Sequence, residues 1–281
     1  MAKEILARVR ARAERLPHPP KIVALVGNET PATRSYLAIK EKRAADAGCV
    51  FDVRRLDLAG IKKNDRSAAI LDSVRKAADE ADAVIVQLPL PNGIAVQHIC
   101  DAIPVEKDAD VLSSAARAQF KMLDLRNSSL LPPVVGAVKK ILEVGNVEMA
   151  RKRAVVIGRG FLVGAPTAAW LRQRGAQVKI ADSKTENLAR LADIIVTGVG
   201  VPHLVKPDMV KEGAVVIDAG TSESDGALAG DVSPSCAVKC SLFTPVPGGV
   251  GPLAVACLFE NAVTLAEQSV ALRNLDSILN K

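Results

Sequence analysis

Seven strand-length runs rich in Val, Ile and Ala alternate with helix-length segments along this chain, and no other feature restricts the fold as much. The runs are KIVALVG (21–27), VFDVRRLDL (50–58), DAVIVQLPL (82–90), RAVVIG (153–158), AQVKIADS (176–183), ADIIVTGVG (192–200) and GAVVIDAG (213–220). Helical stretches fall between them, at 34–47, 67–81, 134–150, 163–174 and 186–191. Strands separated by helices pair in parallel, with the helices covering both faces of the sheet. The expected fold class is therefore α/β.

The alternation is interrupted after the third run. Residues 104–133 have no clear period and end in LLPPVVGAVKKIL, where Pro132 and Pro133 precede a new helix. A chain of 281 residues also exceeds the roughly 100–200 residues of one ordinary core. Two domains are expected: an N-terminal α/β substrate domain over 1–125, and a Rossmann-like dinucleotide-binding domain over 126–251. TPVPGGVGP (244–252) is too rich in Gly and Pro for regular structure. Beyond it, a C-terminal helix over 252–281 is expected to return to the first domain.

Hydrophobic residues at 49% and charged residues at 24% exclude a disordered chain. Aromatics are only 2%, so the core must be aliphatic. No apolar run approaches the roughly 18 residues of a membrane span, and the start does not read as a secretory signal. The first helix, AKEILARVRARAERL, is Arg-rich, but Glu4 and Glu14 fit a surface helix better than a transit peptide. A net charge of +6 suits anionic partners. Basic and acidic residues are mixed and the aromatics scattered, which fits small anions better than nucleic acid. Cys49, Cys100, Cys236, Cys240 and Cys257 are widely spread; reduced cytoplasmic thiols fit them better than a disulfide framework, and no metal site is expected.

Two stretches carry the chemistry. RSYLAIKEK (34–42) holds Tyr36, the only tyrosine, with Lys40 four residues on. On a helix that spacing puts both side chains on one face. The stretch is either an exposed helix face or a catalytic pair. VVIGRGFLVGAP (155–166) follows a strand and opens a helix, the setting of a dinucleotide phosphate loop. Its glycines, Gly158, Gly160 and Gly164, are spaced one residue wider than the usual fingerprint, and a bare strand–helix turn is the competing reading. The next strand ends at Asp182, which suits the ribose hydroxyls of NAD. Arg159, Ser183 and Lys184 suit the additional phosphate of NADP.

RSYLAIKEK, VIVQLPLP (84–91), VIGRGFLVGAP (156–166) and TPVPGGVGPLAVACL (244–258) stand in that order. Together they make nearly the whole chain resemble the bifunctional methylenetetrahydrofolate dehydrogenase/methenyltetrahydrofolate cyclohydrolase family. VEKDADVL (105–112) and DMVKEGAVVIDAG (208–220) are similar to further segments of that family. The resemblance implies oxidation of methylenetetrahydrofolate with a nicotinamide cofactor, then hydrolysis of the methenyl product to formyltetrahydrofolate. It implies Lys40, Tyr36 and Gln87 as catalytic residues, Gln87 holding the lysine. It implies folate contacts from Tyr36, Gln87, Leu88, Asp110, Pro247, Gly248 and Gly249, with Asp110 as the pterin anchor and Asp108 as runner-up. It implies cofactor contacts from Gly158, Arg159, Gly160, Ser183 and Thr221, with NADP preferred and NAD the alternative that Asp182 supports. A cytoplasmic homodimer is implied by the resemblance alone.

Departures from the family pattern concentrate in the cofactor loops. Val111 stands where a glycine is expected, which implies another path for that loop. Gly160 replaces a serine, Asp182 a histidine, GTS (220–222) a common Gly-Ile-Asn, and PLA (252–254) a common Pro-Met-Thr or Pro-Leu-Thr. Two other readings compete. One is a folate- or nucleotide-binding homologue without catalysis, which the drifted glycine loop favours. The other is a short-chain dehydrogenase, whose tyrosine–lysine pair shares this spacing but whose glycine loop precedes the pair.

Overall fold

The strands Lys21–Val26 (β1) and Ala83–Gln87 (β3) are almost wholly buried, which is why both appear as unbroken apolar runs. The computed structural model describes residues 1–122, 130–182, 189–224 and 227–279. It divides into two units, residues 1–131 with 255–281, and residues 132–254.

In the first unit β1 lies between β3 and β2 (Val50–Arg55), all parallel, in the order β2-β1-β3. The edge strand β2 is half-exposed and carries Asp52 and Arg54, the latter paired with Asp52 and Glu80; charges on an edge discourage pairing with a second sheet. The helices of this unit include α1 (Ala2–Ala13), α2 (Pro31–Asp46), α3 (Arg66–Glu80), α4 (Val96–Cys100) and α5 (Ser114–Lys121). The segment 104–133, aperiodic in sequence, contains α5, whose first turn is capped by Ser113 Oγ accepting from Ala116 N at 3.1 Å. Eight residues are too few for a helical period to stand out.

In the second unit the helices are α6 (Pro133–Val144) and α7 (Gly164–Gln173). Its parallel strands are β4 (Arg153–Ile157), β5 (Gln177–Ala181), β6 (Ile194–Thr197), β7 (Val215–Asp218) and the two-residue β10 (Leu242–Phe243). Their order is β10-β7-β6-β4-β5. The chain leaves β4 towards β5 on one side and returns to β6 on the other, so the sheet has a switch point at the C-terminal ends of β4 and β6. An antiparallel pair, β8 (Ser222–Ser224) and β9 (Ala227–Ala229), was not visible in the sequence pattern.

The last helix, α8 (Val250–Leu279), returns to the first unit as expected. Arg12 of α1 pairs with Glu267 and donates to Thr264 Oγ1 at 2.7 Å. Asn261 donates to the carbonyls of Ala109 and Leu131, both at 2.8 Å, and Phe259 meets Phe51 edge to face. Among the described residues, only α8 is long and apolar enough by mean hydropathy to cross a membrane. In this fold 67% of its most apolar stretch is buried within the protein, as in a core helix.

Candidate active site

Helix α2 starts where Thr30 Oγ1 accepts from Thr33 N at 3.1 Å, with Pro31 at the first helical position. Such a cap contributes about 1 kcal/mol. The buried stripe of α2 runs through Thr33, Leu37, Ala44 and Ala47. Lys40 falls between Leu37 and Ala44 on that stripe and is half-buried. Tyr36 lies beside it, also half-buried.

Gln87 closes β3, paired in register with Val26 of β1. Its amide donates to the Leu88 carbonyl at 2.9 Å, which turns Oε1 towards Lys40; Lys40 Nζ donates to that oxygen at 2.9 Å. The pair thus stands at the C-terminal end of a parallel sheet, where α/β folds place their ligands.

Burial pulls the Lys40 pKa below the ordinary lysine value, opposed by attraction to Asp110. Burial pushes Asp110 above the usual carboxylate range, with Lys40 opposing and Asp108 adding to the rise. Asp108 differs in kind. It is fully buried and accepts from Leu112 N at 3.0 Å and Ser113 N at 2.7 Å, so its oxygens hold the turn before α5. Val111 adopts φ 57°, the left-handed conformation that glycine favours. A β-branched residue there costs about 1–3 kcal/mol. The loop therefore keeps a glycine-type turn although the residue has changed.

The second unit holds the other sequence-predicted residues. Gly158 follows β4 with φ 113°, and a Cβ there would stand 2.9 Å from Gly198 O, beside the end of β6. A Cβ on Gly164 would stand 2.1 Å from Gly158 O. The turn is thus closed by backbone alone, and α7 begins directly after it. Among the described residues no side chain caps the first turn of α7. Those N–H groups and the bare turn fit a dinucleotide pyrophosphate. Gly158 N donates to Ala181 O at 2.9 Å, which sets Arg159 two residues beyond the end of β4 and Asp182 one residue beyond the end of the adjacent β5; both are exposed. Ser183 and Lys184 lie outside the described residues. Thr221 is half-buried, one residue past Gly220. Pro247, Gly248 and Gly249 form the turn before α8, with Gly249 N donating to Pro245 O at 2.8 Å. Two buried aspartates that the sequence pattern did not single out, Asp218 and Asp231, lie under the loops after β6 and β7.

Family models of one enzyme match both parts of the chain. Residues 1–110 match the catalytic domain of tetrahydrofolate dehydrogenase/cyclohydrolase, and residues 132–270 match its NAD(P)-binding domain. The chain is 39% identical to bifunctional protein FolD 2 of Lactobacillus johnsonii over 89% of its own length and 88% of that protein. Among solved structures, the methylenetetrahydrofolate dehydrogenase/cyclohydrolase of Campylobacter jejuni matches with a TM-score of 0.87 at 30% identity, covering 95% of this chain and 96% of that one. The Trypanosoma brucei enzyme, solved with NADP and an inhibitor, matches with a TM-score of 0.88 at 31% identity, covering 96% and 95%.

Proposed function

This chain belongs to the tetrahydrofolate dehydrogenase/cyclohydrolase family, and from that premise we propose how its residues carry the two reactions. It is a bifunctional one-carbon folate enzyme that oxidises methylenetetrahydrofolate to methenyltetrahydrofolate with a nicotinamide cofactor, then hydrolyses the product to formyltetrahydrofolate.

When bound, the nicotinamide dinucleotide supplies the hydride acceptor. The chain's residues supply the rest. In hydrolysis, water adds to the methenyl carbon. One water proton ends on the nitrogen freed when its bond to that carbon breaks, and the other leaves to solvent. Lys40 carries the first proton, which requires a substantially neutral amine, and burial favours that form. Gln87 fixes the amine through its Oε1. Tyr36 flanks the pterin and orients Lys40. Asp110 accepts two parallel hydrogen bonds from the amidine-like pterin edge, with Leu88 and the Pro247–Gly249 turn as further folate contacts. The commitment of Asp108 to Leu112 N and Ser113 N supports Asp110 over its neighbour.

NADP is the preferred cofactor on this reading. Gly158, Gly160 and Thr221 contact the dinucleotide, while Arg159 and Ser183 hold the adenosine phosphate. A guanidinium contact to phosphate is bidentate and charge-assisted, whereas an exposed aspartate such as Asp182 is screened by solvent and salt. The same reading carries a cytoplasmic location and a homodimer, the latter tested by the molar mass from light scattering.

The observation that carries the catalytic assignment is the 2.9 Å bond between a half-buried Lys40 and Gln87. The test follows methylenetetrahydrofolate oxidation with NADP and NAD separately, and methenyltetrahydrofolate hydrolysis without cofactor. Turnover in both assays is expected. Binding of folate and dinucleotide without any turnover would instead establish the non-catalytic homologue.

A further inference from the structure

We infer that Asp218 and Asp231 are positioning residues for the dinucleotide, forming a carboxylate clasp that sets the shape of the cleft at the sheet's switch point. Both are buried, at 1% and 0% exposure, and both lie within the second unit.

Asp231 accepts three consecutive backbone N–H groups: Val199 at 2.7 Å through Oδ2, and Gly200 and Val201 at 2.9 and 2.8 Å through Oδ1. Three converging N–H groups form an anion hole, and here the anion is the protein's own. Asp218, ending β7, accepts from Gly220 N at 3.0 Å, Val232 N at 2.8 Å and Thr197 Oγ1 at 2.9 Å. It also accepts from Asp231 N at 3.2 Å, and its own N–H donates to Thr244 Oγ1 at 2.8 Å.

The two interlock through glycines. A Cβ on Gly220 would stand 2.1 Å from the Asp231 carboxyl carbon, and one on Gly230 would stand 2.1 Å from Asp218 Oδ2. Each aspartate therefore lies in the space left by the glycine beside the other.

What the clasp holds gives it a function. The loop Gly198–Val201 lies directly on the glycine turn, since a Cβ on Gly198 would meet Val163 at 2.4 Å and one on Gly158 would meet Gly198 O at 2.9 Å. Gly220, held by Asp218, precedes Thr221. The clasp thus fixes the loops after β6 and β7 against the turn after β4, at the edge where dinucleotides bind. Neither carboxylate can donate to or pair with a ligand while its oxygens serve these backbones, so their action is through the loops.

This inference rests on the dinucleotide-binding reading above, and the experiment separates the two. Dinucleotide affinity is measured by calorimetry, and cofactor KM, folate KM and both kcat values by assay, for wild type, Asp231→Asn and Gly220→Ala. The second variant displaces the Asp231 carboxylate without removing it. Cofactor KM and Kd should rise roughly tenfold or more, the equivalent of one lost charge-assisted hydrogen bond. Folate KM and cyclohydrolase kcat should stay within about twofold, as the internal control for folding. Unchanged cofactor affinity in a variant that keeps cyclohydrolase activity overturns the clasp, as does an equal fall in both activities in both variants. A wild type that binds neither dinucleotide overturns the functional reading instead.

Discussion

Lys40 and Gln87 are 47 residues apart in sequence, and the amine of one donates to the amide oxygen of the other across 2.9 Å. The bond joins the buried stripe of α2 to the end of β3. A lysine placed in an apolar stripe loses hydration, and a single neutral acceptor compensates only part of that loss. Its pKa falls accordingly.

Removing the acceptor should impair both activities. Gln87→Ala leaves the amine without its partner, and kcat for oxidation and for hydrolysis should each fall roughly tenfold, given the cost of about 1–3 kcal/mol for leaving a buried polar group unsatisfied. Steady-state kinetics on the two reactions check this. Unaltered kcat values would disconnect Gln87 from Lys40.

How much of this was legible in sequence depends on the range of the forces. The strands β1, β3, β4 and β7 were visible because burial on both faces leaves unbroken apolar runs. Helix α5 was missed because its eight residues span barely two turns, and β10 because it has only two residues. Tyr36 and Lys40 were legible through their helical spacing. The partnership of Lys40 with Gln87 came from family resemblance, because no local rule links positions 40 and 87. Asp110 ranked above Asp108 by resemblance alone, since carboxylates two residues apart look alike until their backbone donors are known. Asp218 and Asp231 carried a faint signal, Asp-Ala-Gly and Gly-Asp, whose meaning depends on the two segments meeting.

Asp110 and Asp108 should therefore respond differently to the same change. Asp110→Asn loses a charge-assisted pterin contact of about 1.5–3 kcal/mol, or roughly 10- to 150-fold in folate binding, with cofactor affinity unchanged. Asp108→Asn leaves a buried backbone donor poorly satisfied and should lower stability by about 1–3 kcal/mol. Folate titrations and denaturant melts distinguish them; a larger folate loss in Asp108→Asn would reverse the assignment.

The pH profile of Asp110→Asn gives an independent reading. Hydrolysis needs the neutral amine, so kcat should rise with pH through the Lys40 pKa. Asp110 holds that pKa up against burial. Its neutral replacement should move the rising limb to lower pH. A shift to higher pH would contradict the electrostatic account.

Cofactor choice turns on Asp182 against Arg159. Wild type should favour NADP over NAD in kcat/KM, and Asp182→His should widen the preference by removing a charge repelled by phosphate. A wild type that favours NAD, with the histidine variant shifting towards NADP, would identify Asp182 as the determinant.

The second unit has an acid-sensitive anchor away from these loops. Asp193 pairs with Lys211 and accepts from Arg153 N at 2.9 Å, and the hydrogen bond from Lys211, more than any other cause, holds its pKa down to about 2 from the ordinary 3.8. A carboxylate whose folded pKa is depressed stabilises the fold above its unfolded pKa, and that stability is lost as pH falls through the folded value. Solvent screening of this surface pair keeps the contribution to about 1 kcal/mol. Asp193→Asn should lower stability by about that amount at pH 7. The difference should shrink as pH falls from 3.8 towards 2. A difference independent of pH in urea melts would contradict it.

The central claim is that Lys40 moves the proton in hydrolysis, and Lys40→Met tests it most directly. The variant keeps the length of the side chain in the α2 stripe and should fold, with melting and folate binding close to wild type. Hydrolysis of methenyltetrahydrofolate, followed by the loss of its absorbance, should fall to the uncatalysed rate. A folded Lys40→Met protein that hydrolyses methenyltetrahydrofolate at near the wild-type rate would contradict the account.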